Sequence, residues 1–121
     1  MEILIAKTKI DQKTLKALCD AWFDDMVKVV VDIERHVAAL GGDLHADAET
    51  LLLQEGSTQR NLWGANIYPY QHPENRIEYT ALINIRPHQD NLSMEISDEN
   101  IRKSVKKIIH QIVMAADETL V

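Results

Sequence analysis

Cysteine is almost missing from this chain: Cys19 stands alone, so no disulfide can close within it and a disulfide-stapled secreted scaffold is excluded. Its place among apolar residues at helical spacing reads as a small buried hydrophobe. Nothing basic or imidazole-bearing sits beside it in sequence to make the thiol reactive. Basic residues are also in short supply. Thirteen Lys and Arg against 19 Asp and Glu leave a net charge of −6, which argues against nucleic acid as a partner, because phosphate contacts need clustered cations. No apolar run approaches the roughly 20 residues of a membrane-spanning helix, and the opening "MEILIAKTKI" has too short an apolar run for a signal peptide. A cytoplasmic protein with no membrane segment is therefore expected. Internal repeats and low-complexity tracts are lacking too. What is present, 121 residues of which 45 % are hydrophobic, is enough to bury one core, so residues 1–121 are expected to form a single domain.

"EILIAK" has the β-branched and aliphatic content of a strand. Asp11 then reads as a helix N-cap, with Ile10 placed to staple onto Leu15. From Leu15 onward, Leu18, Trp22, Met26, Val29, Ile33, Val37 and Leu40 recur at spacings of three and four, which predicts one long helix from about residue 12 to 40, closed by Gly41-Gly42. Val29-Val30-Val31 widens its apolar surface beyond one stripe; that surplus favours a homodimer, and a helix fully buried in a monomer explains it almost as well. On this helix Asp25, Asp32 and Glu34 are spread around the surface, with Lys28 placed to pair with Asp32.

Residues 61 to 68 and 77 to 86 are rich in aromatic and β-branched residues and flank the turn-forming "PYQHPENR", predicting an antiparallel hairpin. Pro87 ends the second strand. "LSMEI" then reads as a short third strand with Leu92, Met94 and Ile96 on one side, and Ser97 as the cap of a last helix whose apolar face includes Ile101, Val105, Ile108 and Ile112. Lys103, Lys106 and Lys107, with Arg102, make the solvated face of that helix. The fold class is therefore α+β: an antiparallel sheet of about four strands with two main helices, one long, packed on one face.

The segment from 43 to 55 reads two ways. A strand to about Asp47 would project His45, Asp47 and Glu49 from one face. A short helix over about 48 to 55 would take Asp47 as its cap and Gly56 as its stop. The favoured expectation combines them, strand first and then helix. His45, Asp47 and Glu49 have the ligand types for a divalent cation. Three same-face strand positions nonetheless converge on one ion with difficulty. The plainer reading is a solvated turn with Asp47 as a cap. HExxH, a histidine pair at helical spacing, GxSxG, CxxC and a glycine-rich phosphate loop are all absent.

A second constellation is Asn66, Asn84 and Arg86. Strand alternation puts Asn66 with Tyr68 on one side of its strand and Asn84 with Arg86 on one side of the next. In register, these amides and the guanidinium would form a patch suited to a carboxylate or phosphate. The plainer reading is an ordinary solvent-facing sheet side, although asparagines inside strands run against β-propensity.

Taken in order, "DMVKVVVDIE", "GGDLHADAE", "LLLQEGSTQ", "LWGANIYP" and "IEYTALINIRP" resemble a family of small prokaryotic proteins known only as a domain of unknown function, over most of residues 20 to 105. The resemblance implies a compact free-standing domain and brings no activity with it. It departs at Leu92 in "DNLSMEI", where it implies a basic residue, so an anion site built there would be weaker. The leading expectation is a non-enzymatic domain that binds a small anionic ligand or a protein partner through the sheet face at Asn66, Asn84 and Arg86. The alternative is a metal-dependent hydrolase or nuclease using the His45/Asp47/Glu49 cluster. No cofactor is assigned, and whether the protein is an enzyme stays open at this point.

Overall fold

In the computed structural model, which describes residues 1–120, five strands form one antiparallel sheet in the order β1-β3-β2-β4-β5. The strands are β1 (Leu4–Ala6), β2 (Val27–Asp32), β3 (Val37–Leu40), β4 (Leu62–Ile67) and β5 (Ile77–Glu78). Three helices accompany them: α1 (Gln12–Trp22), α2 (His45–Gln54) and α3 (Glu99–Ile112). The α+β class holds, with one strand and one helix more than expected.

The predicted long helix is the main correction. α1 begins as read, with the Asp11 carboxylate accepting from the Thr14 amide at 2.7 Å, but it ends at Trp22. Asp24 adopts φ 64°, a left-handed conformation that Asp tolerates better than most residues, and its amide returns to the Cys19 carbonyl. The chain then leaves as β2. Val27, Val29 and Val31 alternate with Lys28, Val30 and Asp32, and the β-branched run favours the pleated backbone over the helix. Asp32 closes the β2–β3 hairpin rather than pairing with Lys28: one carboxylate oxygen accepts from the amides of Glu34 and Arg35, both at 2.9 Å, and His36 turns the chain at φ 56°. β2 lies at the centre of the sheet between β3 and β4. The apolar surplus at Val29–Val31 is thus covered from two sides, and the sequence argument for a homodimer goes with the helix.

Each sheet face has its own core. On one, α1 and α3 pack Leu15, Leu18, Ile108 and Ile112 against Val27, Val29, Val31, Ala65 and Ile67. On the other, α2 packs Ala48 and Leu52 against Val30, Val37, Ala39 and Leu62. Helices therefore cover both faces rather than one. α3 forms where expected, although its N-cap is Asp98 and not Ser97; the Asp98 carboxylate accepts from the amides of Asn100 and Ile101.

The hairpin of β4 and β5 is present, but β5 stops after two residues, paired as Asn66↔Glu78 and Ile67↔Ile77. Beyond it the chain makes a 3-10 turn at Leu82–Asn84 and a second at Pro87–Gln89. "LSMEI" forms no strand: a single bridge joins Thr80 to Glu95, and Leu92 is 77 % exposed while Ile96 is fully buried. Asn91 organises this return. Its amide nitrogen donates to the carbonyls of Asn84, Ser93 and Glu95, and its oxygen accepts from the amide and hydroxyl of Ser97. No helix among the described residues is long and apolar enough to cross a membrane.

Gly64 in β4 lets these layers meet. A β-carbon there would stand 2.6 Å from the Ala81 methyl and 3.2 Å from the His45 ring. Gly64→Ala should lose about 1–3 kcal/mol of stability through overpacking, read as a lowered urea midpoint at unchanged slope. An unchanged midpoint would show that the layers have slack.

Candidate functional site

The short β5 leaves the amide and carbonyl of Gly64 without a strand partner, and the Asn84 side chain supplies one. Its oxygen accepts from the Gly64 amide at 2.9 Å, while its nitrogen donates to the Gly64 carbonyl at 2.9 Å and the Met94 carbonyl at 3.0 Å. Asn84 is wholly buried and its donors are spent. Arg86 is buried as well. Its guanidinium donates to the carbonyls of Ile83, Gln59 and Leu62, lies 4.7 Å over the Trp63 ring, and reaches Glu49 at 3.5 Å. Burial lowers the Arg86 pKa and raises that of Glu49, each partner opposing the other's shift. The expected open patch of amide and guanidinium therefore does not face solvent: Asn84 and Arg86 hold the 80–95 segment against the sheet.

The strand expected over 43–47 is absent. α2 starts at His45, follows Leu44 with no side-chain cap, and carries Asp47 in its first turn, where the helix dipole favours negative charge. Gly41 and Gly42, at φ 104° and 88°, end β3 instead of a helix, and Trp22 packs where a Gly41 β-carbon would lie. Helical geometry separates the three polar residues. His45 and Glu49 share one side at a spacing of four while Asp47 points elsewhere and is exposed. Among the described residues no three His, Cys, Asp or Glu side chains are grouped to hold a metal ion.

His45 instead meets β4. Its Nε2 lies 2.8 Å from the Ala65 carbonyl. A carbonyl only accepts, so Nε2 carries the proton and Nδ1 keeps its lone pair. Burial holds the His45 pKa below its ordinary 6.5, helped by the Lys28 charge and opposed chiefly by the hydrogen bond to the Ala65 carbonyl.

Asn66 is the sequence-predicted residue left with unused capacity. It is 9 % exposed; its nitrogen donates to Glu78 Oε1 at 2.7 Å and more weakly to the Thr80 carbonyl at 3.4 Å, and its oxygen is buried with no partner. Asn66 and His45 line a groove of about 390 Å³ between the start of α2 and residues 80–83, walled by Leu44, Ala81, Ile83 and Met94. That is the lower end of small-molecule sites. Wider hollows lie beside Met1–Ile5 and Trp22, about 600 Å³, and between Tyr70–Arg76 and Ala116–Leu120, about 500 Å³. The other orphaned polar atoms, Asp32 Oδ2 and Trp63 Nε1, line neither. Sequence reasoning missed Lys28, Leu44, Glu78 and Leu82 at this groove: it placed Lys28 on a helix and Leu44 on a strand, and nothing in it brought Glu78 and Leu82 beside α2.

Outside the groove, burial raises the Cys19 pKa to about 11, so its thiol stays protonated. Lys103, Lys106 and Lys107 are exposed on α3, while Arg102 turns back to the Ile96 carbonyl and stacks 5.0 Å over Tyr79.

An antiparallel sheet covered by helices on both faces, with one groove at the start of α2, defines the class as an α+β domain. The chain belongs to the family described as "Protein of unknown function (DUF5674)", which matches residues 4–112. No curated protein and no solved structure matches it.

Asn84→Ala should cost at least about 3 kcal/mol, because three hydrogen bonds go and the Gly64 amide is orphaned in the interior. Chemical denaturation that finds less than about 1 kcal/mol would show that water replaces the side chain. His45 gives a pH signature. Since its folded-state pKa lies below the unfolded 6.5, the neutral ring's contribution is complete above that pH and is lost as pH falls below it. Unfolding free energy measured from about pH 7 down to 5 should fall more steeply in wild type than in His45→Gln, with His110 common to both. Equal slopes would mean that the ring protonates freely in place.

Proposed function

We propose that this protein is a non-enzymatic binding domain that holds a small organic ligand in the groove between the start of α2 and residues 80–83. In this reading Asn66 makes the polar contact, and Asn84 and Arg86 act as the frame that keeps residues 80–83 on the sheet. The observation that carries it is that Asn66, whose side-chain oxygen is buried without a partner, lines a groove whose other walls are mostly apolar. A buried acceptor left unsatisfied costs about 1–3 kcal/mol, and an incoming donor removes that penalty. Apolar walls with a few placed polar groups are the usual make-up of small-molecule sites.

Ala46 lines the groove from an exposed position on α2, so Ala46→Phe fills the space without disturbing either core. Ligand-observed NMR with a fragment library should give hits on wild type that vanish on Ala46→Phe, while the two proteins unfold at similar denaturant concentrations. Hits that survive the substitution, or a library without hits, would overturn the groove as a ligand site.

A further inference from the structure

We propose that the ligand of this groove is an organic cation: an amidine or amine head that donates N–H groups, carried on a small apolar body. This rests on the reading of the groove as a ligand site, and it reverses the anionic ligand expected from the sequence. The reason is which hydrogen-bonding capacity remains. A carboxylate only accepts, so the Asn66 amide nitrogen must be the atom facing Glu78, and the unused end is its oxygen, an acceptor. His45 donates through Nε2 to Ala65, and what it has left is the Nδ1 lone pair. Glu78 is exposed and accepts from Asn66 at 2.7 Å and from the Tyr68 hydroxyl at 3.5 Å, which leaves room on a carboxylate for further donors.

The donors of Asn84 and Arg86, on which an anion site would have drawn, are committed elsewhere. Asn84 and Arg86 give theirs to backbone carbonyls outside the groove's lining, apart from the Met94 carbonyl and that of Ile83. Lys28 is the groove's own cation; one of its three N–H groups goes to the Asp43 carbonyl at 2.7 Å, and its ammonium lies 5.1 Å over the Phe23 ring. Among the groove's lining residues, Asn66, His45 and Glu78 therefore hold unused acceptor capacity, Glu78 with a negative charge, beside a single cation, Lys28. A cationic N–H donor is their complement. Leu44, Leu82, Ile83 and Met94 supply the surface for an apolar body, and Leu82 and Met94 are 69 % and 40 % exposed.

Benzamidine and benzoate share a ring and differ in the sign of the head group, which makes them the probes. In heteronuclear NMR titrations of the full chain, benzamidine should move the amide resonances of Ala46, Asn66 and Leu82. Its Kd should weaken about tenfold or more in Glu78→Gln and in Asn66→Leu, the loss expected for hydrogen bonds to a charged group. Glu78 is exposed, so Glu78→Gln carries the test even if Asn66→Leu fails to fold. Benzoate binding at these residues more tightly than benzamidine, or benzamidine affinity unchanged in Glu78→Gln, overturns the cation and leaves the groove standing. If neither probe moves these resonances at about 10 mM, where fragments of this size bind a competent pocket, the cation and the groove fall together.

Discussion

The pairing of the Asn84 side chain with Gly64 is the interaction on which this architecture turns. A primary amide carries one acceptor and a donor pair in a plane, so it can stand in for a strand's peptide group beside β4. Because the amide sits on a folded-back segment rather than on a straight strand, the chain after β5 is freed from the sheet's direction and can cross its face. Ala81 and Ile83 are drawn over Gly64, the one β4 position with no side chain to oppose them. Asn91 secures the far end of the same excursion. The groove is what remains between this segment and α2.

Much of the local structure was legible where one signal acted alone. Asp11 announced α1, the aromatic and β-branched content of "NLWGANIY" announced β4, and the apolar stripe from Ile101 to Ile112 announced α3. Residues 23–40 misled because a central strand pair buried on both faces has no polar alternation, and its valines fall at intervals that a helix also satisfies. The deciding marks were local: Asp24, able to adopt positive φ, and Asp32, whose carboxylate folds the hairpin. Neither is visible to a periodicity argument.

The candidate site was legible by type and not by role. Asparagines at 66 and 84 were marked as out of place in strands, and both do have special jobs. Nothing in the sequence separates them, because Asn84 is satisfied by backbone groups from segments 20 and 10 residues away, and Asn66 is left with an idle oxygen. His45, Asp47 and Glu49 were read as a trio because a two-residue spacing is shared on a strand. A helix starting three residues earlier than expected sends His45 to β4 and Glu49 to Arg86.

The Asn84 pairing also bears on how this protein meets its own copies. Sheets aggregate by adding strands at an open edge, and here the outermost strands offer little to add to: β1 has three residues and β5 two. On the β5 side, the next hydrogen-bonding position along β4 is closed by a side chain, which cannot be extended into another rung of a ladder. A foreign strand would have to expel Asn84, and with it the whole 80–95 segment, before it could pair with Gly64. The sheet is thus protected against fibre growth along that edge by an amide in place of the prolines and lysines that more often guard one.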